Sequence, residues 1–76
     1  MFISGSVVDE SGRMIPAAMV VNRGMEGGGQ FVDQRGQFLL AVCPGDTIAF
    51  GAIGFYTRER VAPAHGKQWE WEVRLH

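Results

Sequence analysis

The side chains of this 76-residue chain that could do chemistry are few and far apart. His65, His76 and the single Cys43 form no recognised metal-ligand spacing. One cysteine also excludes an internal disulfide framework and any multi-cysteine zinc site. Cys43 stands beside Pro44 with no nucleophile signature around it, so it reads as a small hydrophobe. Ser4, Ser6 and Ser11 lie outside any Gly-x-Ser-x-Gly elbow. Asp9 and Asp33 open two turns that faintly resemble calcium loops, but each turn supplies one or two carboxylates where calcium takes about six to eight oxygens. Glu70 and Glu72 fall about 7 Å apart along a strand. That separation would suit a retaining glycosidase pair, yet so short a chain offers no deep cleft to raise the pKa of one of them. Gly27-Gly28-Gly29 carries no following lysine and opens no helix, so it is a loop and not a phosphate cradle. No catalytic, metal or cofactor-binding residue is assigned, no cofactor is expected, and the ligand-binding residues stay open.

Two further groups have alternative readings. Trp69 and Trp71 share a strand face and, with Phe55 and Tyr56, could form an aromatic platform for sugar rings. Val73 and Leu75 extend the same face, which favours a core position or a face buried on a partner. Arg58 and Arg60 align with only Glu59 between them. They could form ion pairs, contact a small anion, or line a solvated strand edge.

The elements that must position these residues repeat with a period of two. Trp69, Trp71, Val73 and Leu75 alternate with Glu70, Glu72 and Arg74, which predicts a strand with one buried side. Ile3, Gly5 and Val7 alternate with Ser4 and Ser6. Residues 37–43 place Phe38, Leu40 and Val42 on one face and Leu39, Ala41 and Cys43 on the other, so this strand is expected to be central or to lie at an interface. Ile48 and Phe50 align within 47–51, and 17–21 is a short β-prone run. Turns separate the strands. Asp9-Glu10-Ser11-Gly12 and Asp33-Gln34-Arg35-Gly36 each follow a valine, and each Asp can cap its own turn. Pro44-Gly45-Asp46 is a third turn, and Gly54 marks a bend or bulge. The best helix candidate, residues 59–65, contains Pro63. Six or seven short strands with closely spaced turns predict an all-β sandwich in a single domain, residues 1–76.

Composition narrows the function classes. A net charge of −1 removes the long-range attraction that nucleic acid or an anionic membrane would need. An apolar content of 46% argues against disorder. No apolar run approaches the roughly 20 residues that cross a bilayer, so no direct membrane insertion is expected. Residues 1–5 lack the basic and apolar regions of a signal peptide. The chain is expected either to be cytosolic or to be a piece of a larger exported protein.

The order of the motifs is that of a known family. Ile3-x-Gly5-x-Val7-x-Asp9-x-x-Gly12 comes first, then Ile15-Pro16-Ala17-Ala18-x-Val20. Asp33-x-x-Gly36-x-Phe38, Pro44-Gly45-Asp46 and Ile53-Gly54-Phe55 follow. This arrangement, over roughly residues 2–60, resembles the carboxypeptidase regulatory-like domain family. Asn22 stands where that family prefers an aliphatic residue, and Cys43 where it often has Pro. The resemblance implies a transthyretin-like (prealbumin-like) Greek-key sandwich. It further implies a non-enzymatic accessory or protein-interaction module of a Gram-negative periplasmic or cell-envelope protein, such as an extension of a TonB-dependent outer-membrane receptor. The partner would be another protein or an adjacent domain. The unpaired edges and the strand around Leu39 and Ala41 add a possible homodimer. The alternatives are a carbohydrate-binding module and, less favoured, a hydrolase. Some transthyretin-like proteins hydrolyse a purine-derived ring compound and end in Tyr-Arg-Gly-Ser, whereas this chain ends Val73-Arg74-Leu75-His76.

Overall fold

Alternation of apolar and polar side chains sets the layers. The structure is a computed structural model and describes residues 1–24, 28–64 and 68–76. Its strands are β1 (Phe2–Val8), β2 (Met19–Asn22), β3 (Gly29–Phe31), β4 (Gln37–Ala41), β5 (Thr47–Gly51), β6 (Arg58–Val61) and β7 (Gln68–Arg74). They form a three-stranded sheet, β4-β1-β7, and a four-stranded sheet, β3-β2-β5-β6. Neighbours are antiparallel except β1 and β7, which run parallel from Phe2 opposite Gln68 to Val8 opposite Arg74. The chain changes sheet after β1, β3, β4 and β6, while β2–β3 and β5–β6 stay within one sheet. The protein is thus an all-β sandwich. Of the segment with the best helical prospects, 59–65, residues 59–61 belong to strand β6 and 62–64 are not helical, while His65 lies outside the described residues.

The inward positions of each strand meet in one core. Ile3, Val7, Phe38, Leu40 and Val73 come from the three-stranded sheet, and Val20, Ile48 and Phe50 from the other. Phe50 is fully buried and links the layers, with ring centroids 5.6 Å from Phe38 and 6.2 Å from Trp71 in tilted geometry. One expectation needs correction. The strand around residues 37–43 is not central: β4 is an edge of its sheet, and β1 holds the middle. Phe38, Leu40 and Val42 are buried as their alternation requires, but Leu39 is 58% exposed and Ala41 and Cys43 are also exposed. The outer face of this sheet is open, so apolar residues on both sides of β4 did not mean two covered faces.

The two Val-Asp-x-x-Gly turns adopt the same hydrogen-bonded form. Asp9 Oδ1 accepts the amides of Ser11 and Arg13 at 2.8 and 3.0 Å, and Asp33 Oδ1 accepts those of Arg35 and Gln37 at the same distances. Gly12 and Gly36 take φ of 83° and 73°, which closes each turn. Gly54 lies in the turn between β5 and β6, where the Phe55 amide donates to the Ala52 carbonyl at 3.1 Å. Ala17, after Pro16, is held at φ 60° despite its Cβ. The left-handed region costs a non-glycine residue about 1–2 kcal/mol. Ala17→Gly is therefore expected to raise the unfolding free energy measured by urea titration, by up to about 1 kcal/mol once glycine's extra unfolded-state entropy is subtracted.

Candidate functional site

The two edges β6 and β7 face one another across an open side of the sandwich, and the paired arginines span it. Arg58 and Arg60 point the same way because they are two residues apart on a strand. Arg58 Nη1 donates to the Arg74 carbonyl at 3.0 Å, and the Arg60 guanidinium lies 4.0 Å from the ring centroid of Trp71. Glu59, on the opposite side of β6, pairs with Arg23. Of the readings open to these arginines, the geometry gives inter-sheet contacts. Arg60→Ala is expected to lower stability by about 1 kcal/mol. It should also shift tryptophan emission to longer wavelength as water reaches the Trp71 ring.

A second bridge between the sheets is polar. Asn22 is the inward residue after Val20 on β2 and is fully buried. Its Nδ2 donates to Asp46 Oδ2 at 2.9 Å and to the Ala41 carbonyl at 3.3 Å, and its Oδ1 accepts the Gly24 amide at 2.9 Å. Asp46 Oδ2 also accepts the Cys43 amide at 2.8 Å within the Pro-Gly turn. The Cys43 amide, then the Asn22 amide, hold the Asp46 carboxyl below the usual carboxylate value. The Gln37 and Arg35 amides do the same for Asp33. Because both folded-state pKa values are depressed below 3.8, the resulting stability is complete above that pH and is lost as pH falls through the folded values. Urea midpoints should be flat from pH 7 to 5 and decline below about pH 4, with a smaller decline in Asp33→Asn.

The two outer faces of the sandwich differ in kind. On the three-stranded sheet, Ser4 lies opposite Glu70 and Ser6 lies between Gln37 and Glu72, in a shallow polar depression of about 430 Å³. On the four-stranded sheet, Met19, Val21, Phe31, Ala49, Gly51 and Ile53 line an open, mainly apolar groove of about 570 Å³. Ile53 is fully exposed, and Phe31 and Met19 remain 66% and 42% exposed. This sheet is therefore apolar in the core and also over β3 and β2 outside it, while the Arg23–Glu59 pair lies over the β5–β6 side of the outer face.

The residues singled out from the sequence do not converge on a reaction centre. His76 Nδ1 lies 2.8 Å from Glu10 Oε1, whereas His65 falls outside the described residues, as does Gly27 of the glycine run. Cys43 is an exposed free thiol. Ser4 and Ser6 lie on the polar outer face, and Ser11 donates its amide in the first turn. Glu70 and Glu72 are exposed on that same face, and Glu72 is engaged by Arg74 at 2.9 Å. Asp9 and Asp33 each use one carboxylate oxygen on their own turns. Among the described residues, no three His, Cys, Asp or Glu side chains gather where a metal ion could be held. Trp71 is buried beside Phe50, Trp69 at the start of β7 is 40% exposed, and Phe55 packs against the core. Tyr56 alone of the four aromatics is largely exposed, so they do not present a shared platform. Sequence reasoning did not single out Asn22 as a bridge, Arg60 as a cover for Trp71, or the apolar outer face. Only the last left a signal. The runs Met19-Val20-Val21 and Ile48-Ala49-Phe50 are apolar at consecutive positions, as a strand covered on both sides would be.

No protein-family model matches the chain, and neither does any curated protein. Fold and surface together define a small β-sandwich domain whose three-stranded sheet mixes polar side chains with exposed Phe2 and Leu39 on its outer face, and whose four-stranded sheet carries an apolar groove. Among solved structures it is similar to the C-terminal domain of the PapC usher, with a TM-score of 0.58 and 18% sequence identity, over 99% of this chain and 95% of that one. At that identity the likeness is one of fold.

Proposed function

We propose that this chain is a non-enzymatic accessory module that makes protein contacts within a bacterial cell-envelope protein, such as a TonB-dependent transporter. The observation that carries the reading is the apolar groove on the outer face of the four-stranded sheet. A large exposed apolar patch marks a contact surface. Such a face needs a partner and no reaction. The motif order shared with the carboxypeptidase regulatory-like domains supports the envelope context. The fold match supports a modular role, because the usher structure is itself one domain of a longer protein. The complete reading frame tests the proposal. An export leader and a barrel-forming segment in the same frame would support it. A stop codon directly after His76, with no leader upstream of Met1, would defeat the envelope assignment.

A further inference from the structure

We propose that Gln30 is a guard that keeps the β4 edge from pairing with the same edge of a second copy of this chain. The proposal does not depend on the contact-surface or envelope readings above, which can fail without touching it.

The need for a guard lies in β4 itself. Residues 37–43 are uncharged, rich in Phe, Leu and Val, and contain neither proline nor glycine. Segments of about six or seven such residues stack strand on strand when an edge exposes them. β4 is an edge strand, and its Leu39 is 58% exposed. The other edge of the same sheet has a different defence, because Glu70, Glu72 and Arg74 place charges along the exposed side of β7.

The hydrogen bonds of β4 show how its edge is closed. Met1 and Val42 exchange both of their backbone bonds, and the Val7 amide donates to the Gly36 carbonyl. Even-numbered residues of this segment therefore face β1. Gln37, Leu39 and Ala41, with Cys43 beyond the strand, turn their backbone groups away from it. All four of those outward carbonyls are taken. The Asp33 and Asp46 amides donate to Gln37 and Cys43 at 2.9 and 3.0 Å. Asn22 Nδ2 donates to Ala41 at 3.3 Å, and Gln30 Nε2 to Leu39 at 2.8 Å. An added strand would have to set its own amide about 2.9 Å from the Leu39 oxygen, which is the place that Nε2 holds.

The four bonds differ in how they can open. Those from Asp33 and Asp46 belong to turns, and that from Asn22 to the buried bridge. Gln30 reaches across from β3, a strand of three residues at the edge of the other sheet, and its bond to β4 is exposed. It can be released while the fold stands. Leu39 then offers an outward amide and an outward carbonyl together. Two copies related by a twofold axis can exchange those two bonds, the closed arrangement of an isologous contact.

Gln30→Leu tests the proposal, since it keeps the side chain's bulk and removes its donor. Sedimentation velocity at about 100 µM should show it associating at least tenfold more strongly than the wild type. Its urea midpoint, measured at low concentration, should stay close to the wild-type value. Adding Ala41→Pro takes away an outward amide without taking away apolar surface, and edge strands tolerate proline there. Adding Leu39→Lys instead places a charge on the edge at an exposed position. Each second substitution should return Gln30→Leu to wild-type behaviour. Gln30→Leu that associates no more than the wild type overturns the proposal. So does association that survives both second substitutions, because it would then arise from the new leucine and not from the β4 edge.

Discussion

Gly5→Ala should be among the most destabilising single substitutions in the domain, with its urea midpoint far below that of the wild type. Gly5 sits mid-strand in β1, opposite Trp71 of β7. A Cβ there would run into the Trp71 carbonyl oxygen and lie 2.8 Å from its carbonyl carbon. Those are backbone atoms of a paired strand, so neither can turn aside as a side chain would. Relief requires β1 and β7 to separate, which breaks the parallel ladder and moves Trp71 off Phe50. A domain of this size has about 4–11 kcal/mol of stability in total. The substitution is expected to remove more than about 3 kcal/mol of it, among the large values that point mutations reach. Gly29→Ala on β3 is the matched control, because its new methyl would meet the nearest atom, Val21 Cγ2, at 3.4 Å. It should change stability by less than about 1 kcal/mol. Urea titration of both variants measures the contrast. A Gly5→Ala midpoint close to that of the wild type would refute the argument.

Asn22→Ala is expected to cost about 2–4 kcal/mol. The side chain is fully buried and satisfies three groups: the Gly24 amide, the Ala41 carbonyl and the Asp46 carboxylate. Truncation removes the side-chain partner of the Gly24 amide and the Ala41 carbonyl and one of the two donors to Asp46 Oδ2, and it leaves a cavity where a fully buried side chain stood. Asn22→Leu, which restores an aliphatic residue of similar size, should recover only the cavity's share, since the hydrogen bonds stay broken. The pH profile separates this account from simple loosening of the core. Asp46 would keep the Cys43 amide but lose Asn22, so its folded pKa should move back toward 3.8. The variant would then lose less stability than the wild type between pH 5 and 3, even though it starts lower.

Local chemistry made much of the framework readable. Asp9 and Asp33 announced their turns because an Asx cap needs only residues two to four positions away. Trp71, Val73 and Leu75 were legible as a buried face because alternation records burial directly. What failed to show was everything that depends on which strand lies beside which. Leu39 and Ala41 suggested a central strand, but a two-sided apolar pattern does not reveal how many strands its sheet contains. Asn22 read as a local departure, because its partners Ala41 and Asp46 are 19 and 24 residues away. Arg60 offered several roles until β7 was seen to place Trp71 beneath it. The apolar groove left only a partial signal, in the consecutive apolar residues of 19–21 and 48–50. Phe31, Met19, Gly51 and Ile53 come from separated segments, and only the register of β3, β2 and β5 assembles them.

The parallel pairing of β1 with β7 also governs the order of events as the chain folds. Strands β2, β3, β5 and β6 pair only with one another and span residues 19–61. They can assemble early through short loops, whose closure is fast. The middle strand of the other sheet lies at the start of the sequence, and its neighbour β7 lies at the end, with 66 positions separating Phe2 from Gln68 and every other partner in the ladder. Closing so long a loop costs more entropy than any hairpin here, and nothing repays it until the ladder forms. On a ribosome, β1 emerges well before β7 and keeps one edge bare until β7 has been made. Completion of the sandwich therefore waits on synthesis of β7, however early the four-stranded sheet forms.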